Sequence, residues 1–265
     1  MHNPKAPVDT QSAKEEEEQT EAETLVGHLI ELRSRLLKTL GFVLAIFCSL
    51  VYFSNDIYEF VSLPLRQLLP EGSTMIATGV TSPFFAPFKL TMVLALLLAV
   101  PVILHQVWGF ISPGLYQHEK KIAIPLLFSS IILFYSGVAF AYYVAFPLML
   151  GFFTTIGPSG VELMPDISQF LDIALKLFFA FGIAFEVPIA TFLLIVSGVT
   201  SVESLKQKRA YVVVGCFVFG MLLTPPDIIS QTLLAVPMWI LFELGIIFAG
   251  LVPTQEDSQE DSQED

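Results

Sequence analysis

The chain has 265 residues, 54% of them hydrophobic and 14% charged, with a mean hydropathy of +0.70. That balance excludes a soluble domain, which could not cover so much apolar surface, and predicts a membrane protein. The formal charge of −12 sits almost wholly in the tails. Residues 1–24 hold seven acids and two bases, and residues 254–265 six acids and no base, so the intervening chain is near neutral and offers nucleic acid no basic surface.

From the amino terminus, Glu15–Glu18 lie in a polar stretch with no basic segment leading into an apolar core, so no cleavable signal peptide is read there. Residues 1–24 are expected to be a disordered acidic tail. Next, Leu25, Leu29, Leu32 and Leu36 fall on one helical face and His28, Glu31 and Arg35 on another, predicting an interfacial helix that feeds the first span. Glu31 stands four residues before Arg35. The spacing allows an intrahelical ion pair or a ligand-binding carboxylate, and does not choose between them.

About 20 apolar residues cross a hydrocarbon core as helix, and six runs qualify or nearly so: 36–53, 88–110, 122–146, 170–196, 211–223 and 228–251. The fifth, at 13 residues, reaches only about 20 Å and implies local thinning of the bilayer. Ten of the thirteen basic residues, Arg33, Arg35, Lys38, Lys120, Lys121, Lys206, Lys208 and Arg209 among them, fall on one side of a six-span arrangement. The positive-inside rule then places both termini in the cytoplasm. The expected fold is an all-α membrane protein of six transmembrane helices spanning 25–253, its prolines 101, 125, 188 and 237 bending helices around a concave face.

Between the first two spans, Ile57–Val61 reads as a short amphipathic surface helix ended at Pro64, followed by Pro70, Gly72, Pro83 and Pro87 in a stiff external cap. Glu119 lies in the loop joining the second and third spans, where its plain reading is a carboxylate screened by Lys120 and Lys121. Together Glu31 and Glu119 could hold two guanidinium groups by charge-assisted bonds that lysine cannot match. Glu186 falls inside an apolar run, where an ionised carboxylate costs roughly 2.5–3.5 kcal/mol, so it should face a cavity or a partner. Lys176 follows Asp172 by four residues and reads as its helical partner. Asp227 reads as a helix cap after Leu223-Thr224-Pro225-Pro226, Gln231 as a polar group left unpaired beside lipid, and Glu243 as the exit of the last span.

Cys48 and Cys216 lie in apolar runs and read as buried small hydrophobes. The four histidines show no metal spacing, and no nucleophile elbow, Walker loop or dinucleotide fingerprint occurs, so neither an enzyme nor a cofactor is expected. The repeated Ser-Gln-Glu-Asp of the last residues, 254–265, is expected to stay disordered.

Six strings in order, His28-Leu29-Ile30-Glu31-Leu32-Arg33-Ser34-Arg35, Ser82-Pro83-Phe84-Phe85, Gln106-Val107-Trp108-Gly109-Phe110-Ile111-Ser112-Pro113-Gly114-Leu115, Phe140-Ala141-Tyr142, Phe185-Glu186-Val187-Pro188 and Leu223-Thr224-Pro225-Pro226-Asp227, make the chain resemble the TatC family over about residues 25–250. That family is the multispanning core of the bacterial twin-arginine protein translocase. The resemblance implies a non-enzymatic receptor in the cytoplasmic (inner) membrane that binds paired-arginine signal peptides of folded cargo, with export powered by the proton-motive force. It implies a glove-like bundle, single-span TatA and TatB partners and further copies of the chain itself. It assigns Glu31 and Glu119 to the signal-peptide site with Arg33, Phe110 and Leu115 beside them, Glu186 to the concave membrane face, and Pro64 to the external cap. Met221, Thr224, Asp227 and Gln231 become the partner-docking edge. The rival is a proton- or ion-coupled small-solute transporter titrating Glu186, which requires a second intramembrane site and pseudo-symmetric halves that the sequence does not display.

Overall fold

The computed structural model describes the backbone over residues 10–68, 75–111, 120–156, 164–223 and 228–250, and side chains over somewhat narrower stretches. Every described element is helical apart from one isolated bridge. Helix α1 (Thr10–Leu50) passes through a 3-10 turn (Val51–Phe53) into α2 (Ser54–Leu68). The acidic stretch from Thr10, expected to be unordered, thus continues the helix, as its Ala13, Lys14 and glutamates favour. Pro64 does not end α2 as anticipated: the helix runs on to Leu68, and the side chain of Pro64 lies outside the described residues. Leu29–Leu63 forms one 35-residue rod, roughly 50 Å long, which outreaches a ~30 Å hydrocarbon core.

The second predicted span is a bent pair, α3 (Ser82–Leu98) and α4 (Val100–Ile111), which meet at 47° about Ala99. Pro101, in the first turn of α4, cannot donate the bond that would carry α3 straight on. Helix α5 (Lys120–Phe140) continues through a π turn (Ala141–Ala145) into α6 (Phe146–Ile156), giving an apolar run of 29 residues over Ile124–Phe152. Pro147 lacks the N–H that Tyr143 would receive, and the wider turn re-registers the backbone just ahead of it. Helices α7 (Ile167–Ala184) and α8 (Val187–Val196) make a 30-residue span interrupted at Phe185 and Glu186, with Pro188 in the first turn of α8. The short surface helix α9 (Val202–Gln207), the short apolar α10 (Arg209–Leu223) and α11 (Ile228–Ala249) complete the order. Among the described residues four helices can cross a membrane by length and composition, five with the bent pair, and α10 is the short one anticipated.

Phe146, Leu171, Phe181 and Leu234 are buried where α6, α7 and α11 converge. Close helix approach depends on small residues, as is usual where lipid supplies no hydrophobic drive between helices. A Cβ on Gly137 would lie 2.4 Å from the Phe181 carbonyl oxygen, and one on Gly245 2.9 Å from the Pro188 Cα, so these two glycines let α5 meet α7 and α11 meet α8. The outer surface carries Leu29, Leu36, Tyr143, Ile183 and Tyr211, an apolar coat suited to acyl chains. Cys216 is buried as expected. Cys48 instead lies on the exposed face of α1, where lipid supplies the apolar surroundings.

Candidate functional site

Arg35 is the hub at the end of the bundle where α1 meets α4. Its Nε and Nη2 donate to Glu31 Oε1 at 2.9 and 2.6 Å, so the intrahelical pair allowed by the spacing exists. The same guanidinium reaches across to α4, where Nη2 donates to the Gly109 carbonyl at 3.0 Å and Nη1 to Gln106 Oε1 at 3.2 Å. Gly109 lies in the last turn of α4, whose carbonyls lack helical partners, so a cation there satisfies an orphan acceptor and complements the helix dipole. The missing side chain matters: a Cβ on Gly109 would lie 2.4 Å from Arg35 Nη1. Glu31 Oε2 takes no hydrogen bond among the described residues, and the side chain is 37% exposed.

Arg33 is exposed on the same helix, and Phe110 is half-buried at the end of α4, next to the carbonyl that Arg35 holds. Glu119 and Leu115 fall outside the described residues. The segment carrying them leaves from the turn of α4 that Arg35 caps and returns at the start of α5.

Glu186 sits at the break between α7 and α8. Buried Ser130 of α5 lies near the carboxyl group, while Oε1 is buried and takes no hydrogen bond among the described residues. An acceptor in that condition is costly unless another molecule or a proton satisfies it.

At the α10–α11 edge, Gln231 does not stand unpaired as anticipated. Its Nε2 donates to the Phe217 carbonyl across the pair at 2.8 Å, with Gly220 admitting the side chain. Met221 projects outward, half-exposed, while Thr224 and Asp227 lie outside the described residues. Glu243 receives Arg209 at 2.6 Å, tying α11 to the start of α10 as well as standing near its end.

Two further ties went unread in the sequence. Asp166 caps α7, its Oδ1 accepting the Ser168 and Gln169 amides at 2.9 and 3.2 Å, while Oδ2 accepts the Thr78 hydroxyl and amide at 2.6 and 2.8 Å. Ile76 adds a parallel bridge to the same residue. The Thr78 hydroxyl foremost, then its amide and those of Gln169 and Ser168, hold the Asp166 carboxyl down from 3.8 to about 2. An acid directly before an apolar helix was the available signal for the cap, but nothing nearby in sequence announces Thr78. Likewise Asp172 pairs with Lys89 of α3 and not with Lys176, which is exposed and has no ion pair among the described residues.

Polar groups thus gather at the two rims and one buried break of an otherwise apolar helical bundle. No cluster of three metal-binding side chains occurs among the described residues. Its long apolar helices make this a multi-pass membrane protein. The matching family is described as "Sec-independent protein translocase protein (TatC)" and covers residues 27–237. The TatC of Azotobacter chroococcum mcd 1 is 64% identical over 233 residues, 88% of this chain and 91% of its own length. That of Escherichia coli K12 is 57% identical over 229 residues, 86% and 89% of the respective chains. A crystal structure titled as the twin arginine translocase receptor TatC superposes with a TM-score of 0.76 at 38% identity, covering 84% of this chain and 98% of that one. The chain belongs to the TatC family: it is a core subunit of the Sec-independent protein translocase and not an enzyme. The small-solute transporter reading falls away.

Proposed function

We propose that the chain is the receptor of a twin-arginine translocase, taking paired-arginine signal peptides at the rim formed by Glu31, Arg33, Phe110, Leu115 and Glu119. One observation carries this reading. Glu31 already holds a guanidinium, that of Arg35, through Oε1, while its side chain stays partly exposed and its Oε2 takes no hydrogen bond among the described residues. A carboxylate that binds one guanidinium in this setting can accept another by a charge-assisted bond contributing about 1.5–3 kcal/mol. With Glu119 on the adjoining segment, the rim presents two acids to two arginines. In detergent, Glu31→Ala combined with Glu119→Ala abolishes measurable binding of a paired-arginine peptide. Unchanged affinity in a folded double variant overturns the site.

The accompanying topology is six spans with both termini in the cytoplasm of a bacterial inner membrane. It counts α10 as a thinned span and puts Lys120, Lys121, Lys206, Lys208 and Arg209 on the side of α1 that bears Arg33 and Lys38. Cysteines placed at Ser204 and Ser159 label from opposite faces with an impermeant thiol reagent; same-side labelling refutes it. Single-span TatA and TatB subunits dock along α10 and α11 at Met221, Thr224, Asp227 and Gln231, beside further copies of the chain, and the cap containing Pro64 stiffens the outer side. Gln231→Leu reduces copurification of a single-span partner. Glu186 supplies polarity to the concave face during transport driven by the proton-motive force, so Glu186→Gln retains more export than Glu186→Leu.

A further inference from the structure

The 47° bend between α3 and α4 has a chemical cause and a chemical repair. In an unbroken helix the Leu97 carbonyl would accept from the amide four residues on, which is the place of Pro101, and proline has no N–H. A replacement donor comes from another helix. The Tyr135 hydroxyl of α5 donates to Leu97 O at 3.1 Å, its ring half-buried in a cluster with Leu97, Val100, Ile103 and Phe134. The two arms of the bend are held by different neighbours. Lys89 ties α3 to Asp172 of α7, while Arg35 of α1 holds the far end of α4, at Gly109 O (3.0 Å) and Gln106 Oε1 (3.2 Å). Gly109 stands about 15 Å beyond Ala99 along α4, so a change of about 20° in the direction of α4 carries its carbonyl about 5 Å. No hydrogen bond survives that displacement.

We propose that the Tyr135 hydroxyl is the latch of this joint: by standing in for the amide that Pro101 lacks, it fixes the direction of α4 and so brings Gly109 to Arg35. Tyr135 is a positioning residue, acting from inside the bundle on the rim where α1 meets α4. A helix bonded through its own amides has no such freedom, because its direction is set by every successive bond. Here one of those bonds is lent by a side chain, and a side chain can let go, leaving α4 to swing as a rigid arm. The latch itself depends only on α1, α3, α4 and α5. Its bearing on peptide binding rests on the reading of the rim given above, through Glu31, Arg33 and Phe110.

A double-mutant cycle tests the latch. Full-length chain with Cys48 and Cys216 replaced by alanine carries nitroxide labels at Val107 of α4 and Leu194 of α8, both exposed, and pulsed electron resonance reads the distance between them. Val107 lies about 12 Å beyond Ala99, so complete loss of the bend displaces it by about 10 Å. Tyr135→Phe keeps the ring and removes only the donor, and it broadens the distance distribution to about twice its width. Pro101→Ala returns an amide to Leu97, and in that background Tyr135→Phe leaves the width unchanged. Loosened apolar packing would broaden the distribution in both backgrounds. Broadening in both, or in neither, overturns the proposal. Titration of the same proteins with a synthetic paired-arginine peptide separates the levels. If α4 keeps its direction for about a third of the time in Tyr135→Phe, apparent affinity falls about threefold. Broadening with unchanged affinity overturns the reading of the rim and leaves the latch standing, whereas an unchanged width overturns the latch whatever the affinity.

Discussion

Asp166 and Glu31 are carboxylates at opposite ends of the bent α3–α4 pair, and the chain treats them in opposite ways. Asp166 is buried and accepts four donors from its own chain, two on each oxygen, leaving nothing for a visitor. Glu31 gives Oε1 to Arg35, its side chain is partly exposed, and Oε2 takes no hydrogen bond among the described residues. A saturated carboxylate holds a fold together, whereas a half-saturated one at a rim is a place to bind. Glu186, whose buried Oε1 takes no hydrogen bond among the described residues, lies between these cases.

The contrast breaks most visibly if the two acids are altered in turn. Glu31→Gln weakens paired-arginine peptide binding about 10- to 100-fold. It leaves the melting temperature nearly unchanged, because the pair it disrupts is partly exposed and worth at most ~1 kcal/mol. Peptide titration and thermal unfolding of the same preparation check both halves. Asp166→Ala should do the reverse, lowering the melting temperature by roughly a few degrees as the amides of Thr78, Ser168 and Gln169 lose their acceptor, with peptide affinity unaltered.

Acid sharpens the same comparison. Folding holds the Asp166 carboxyl at about 2, below its ordinary 3.8, so the folded chain favours the ionised form. The stabilisation is complete above the ordinary value and is lost as pH falls through it toward about 2. Melting curves of the unaltered chain and of Asp166→Ala therefore converge over that interval. The smallest effect belongs to Lys89→Met. The ammonium and the Asp172 carboxylate are both about half-exposed, 55% and 45%, and removing the pair costs about 0.5 kcal/mol in a denaturation assay.

Hydropathy made the long apolar helices legible because a bilayer leaves an apolar run few alternatives to helix. The short α10 and the interruptions near Pro101 and Pro188 could be anticipated on the same ground. Helix ends were harder. α3 starts at Ser82 and not near Phe88, since Pro83 suits a first turn and Pro87 is carried inside the helix. The polar ties were not legible, for a common reason. Arg35 reaches Gly109 over 74 positions, Asp166 reaches Thr78 over 88, and Lys89 reaches Asp172 over 83. Spacing reveals only neighbours on one helix. It therefore showed Glu31 beside Arg35 but set Lys176 against Asp172, where the fold brings in Lys89. The acids of the proposed site were visible, as was Arg35, but the reach of that arginine to the Gly109 carbonyl of α4 was not.

The bridge between Ile76 and Asp166 also bears on how the protein is made. Synthesis delivers the segment before α3 long before it delivers the start of α7, so the donors at Ile76 and Thr78 must wait, solvated, until some 90 further residues have been threaded into the bilayer. Closure of that loop is consequently a late event in biogenesis. It marks the moment at which the amino-terminal ends of α3 and α7 come into register. A nascent chain stalled before residue 166 carries an open 75–81 segment that a protease can cut, and a finished one does not, so the cut site is a clock for membrane insertion.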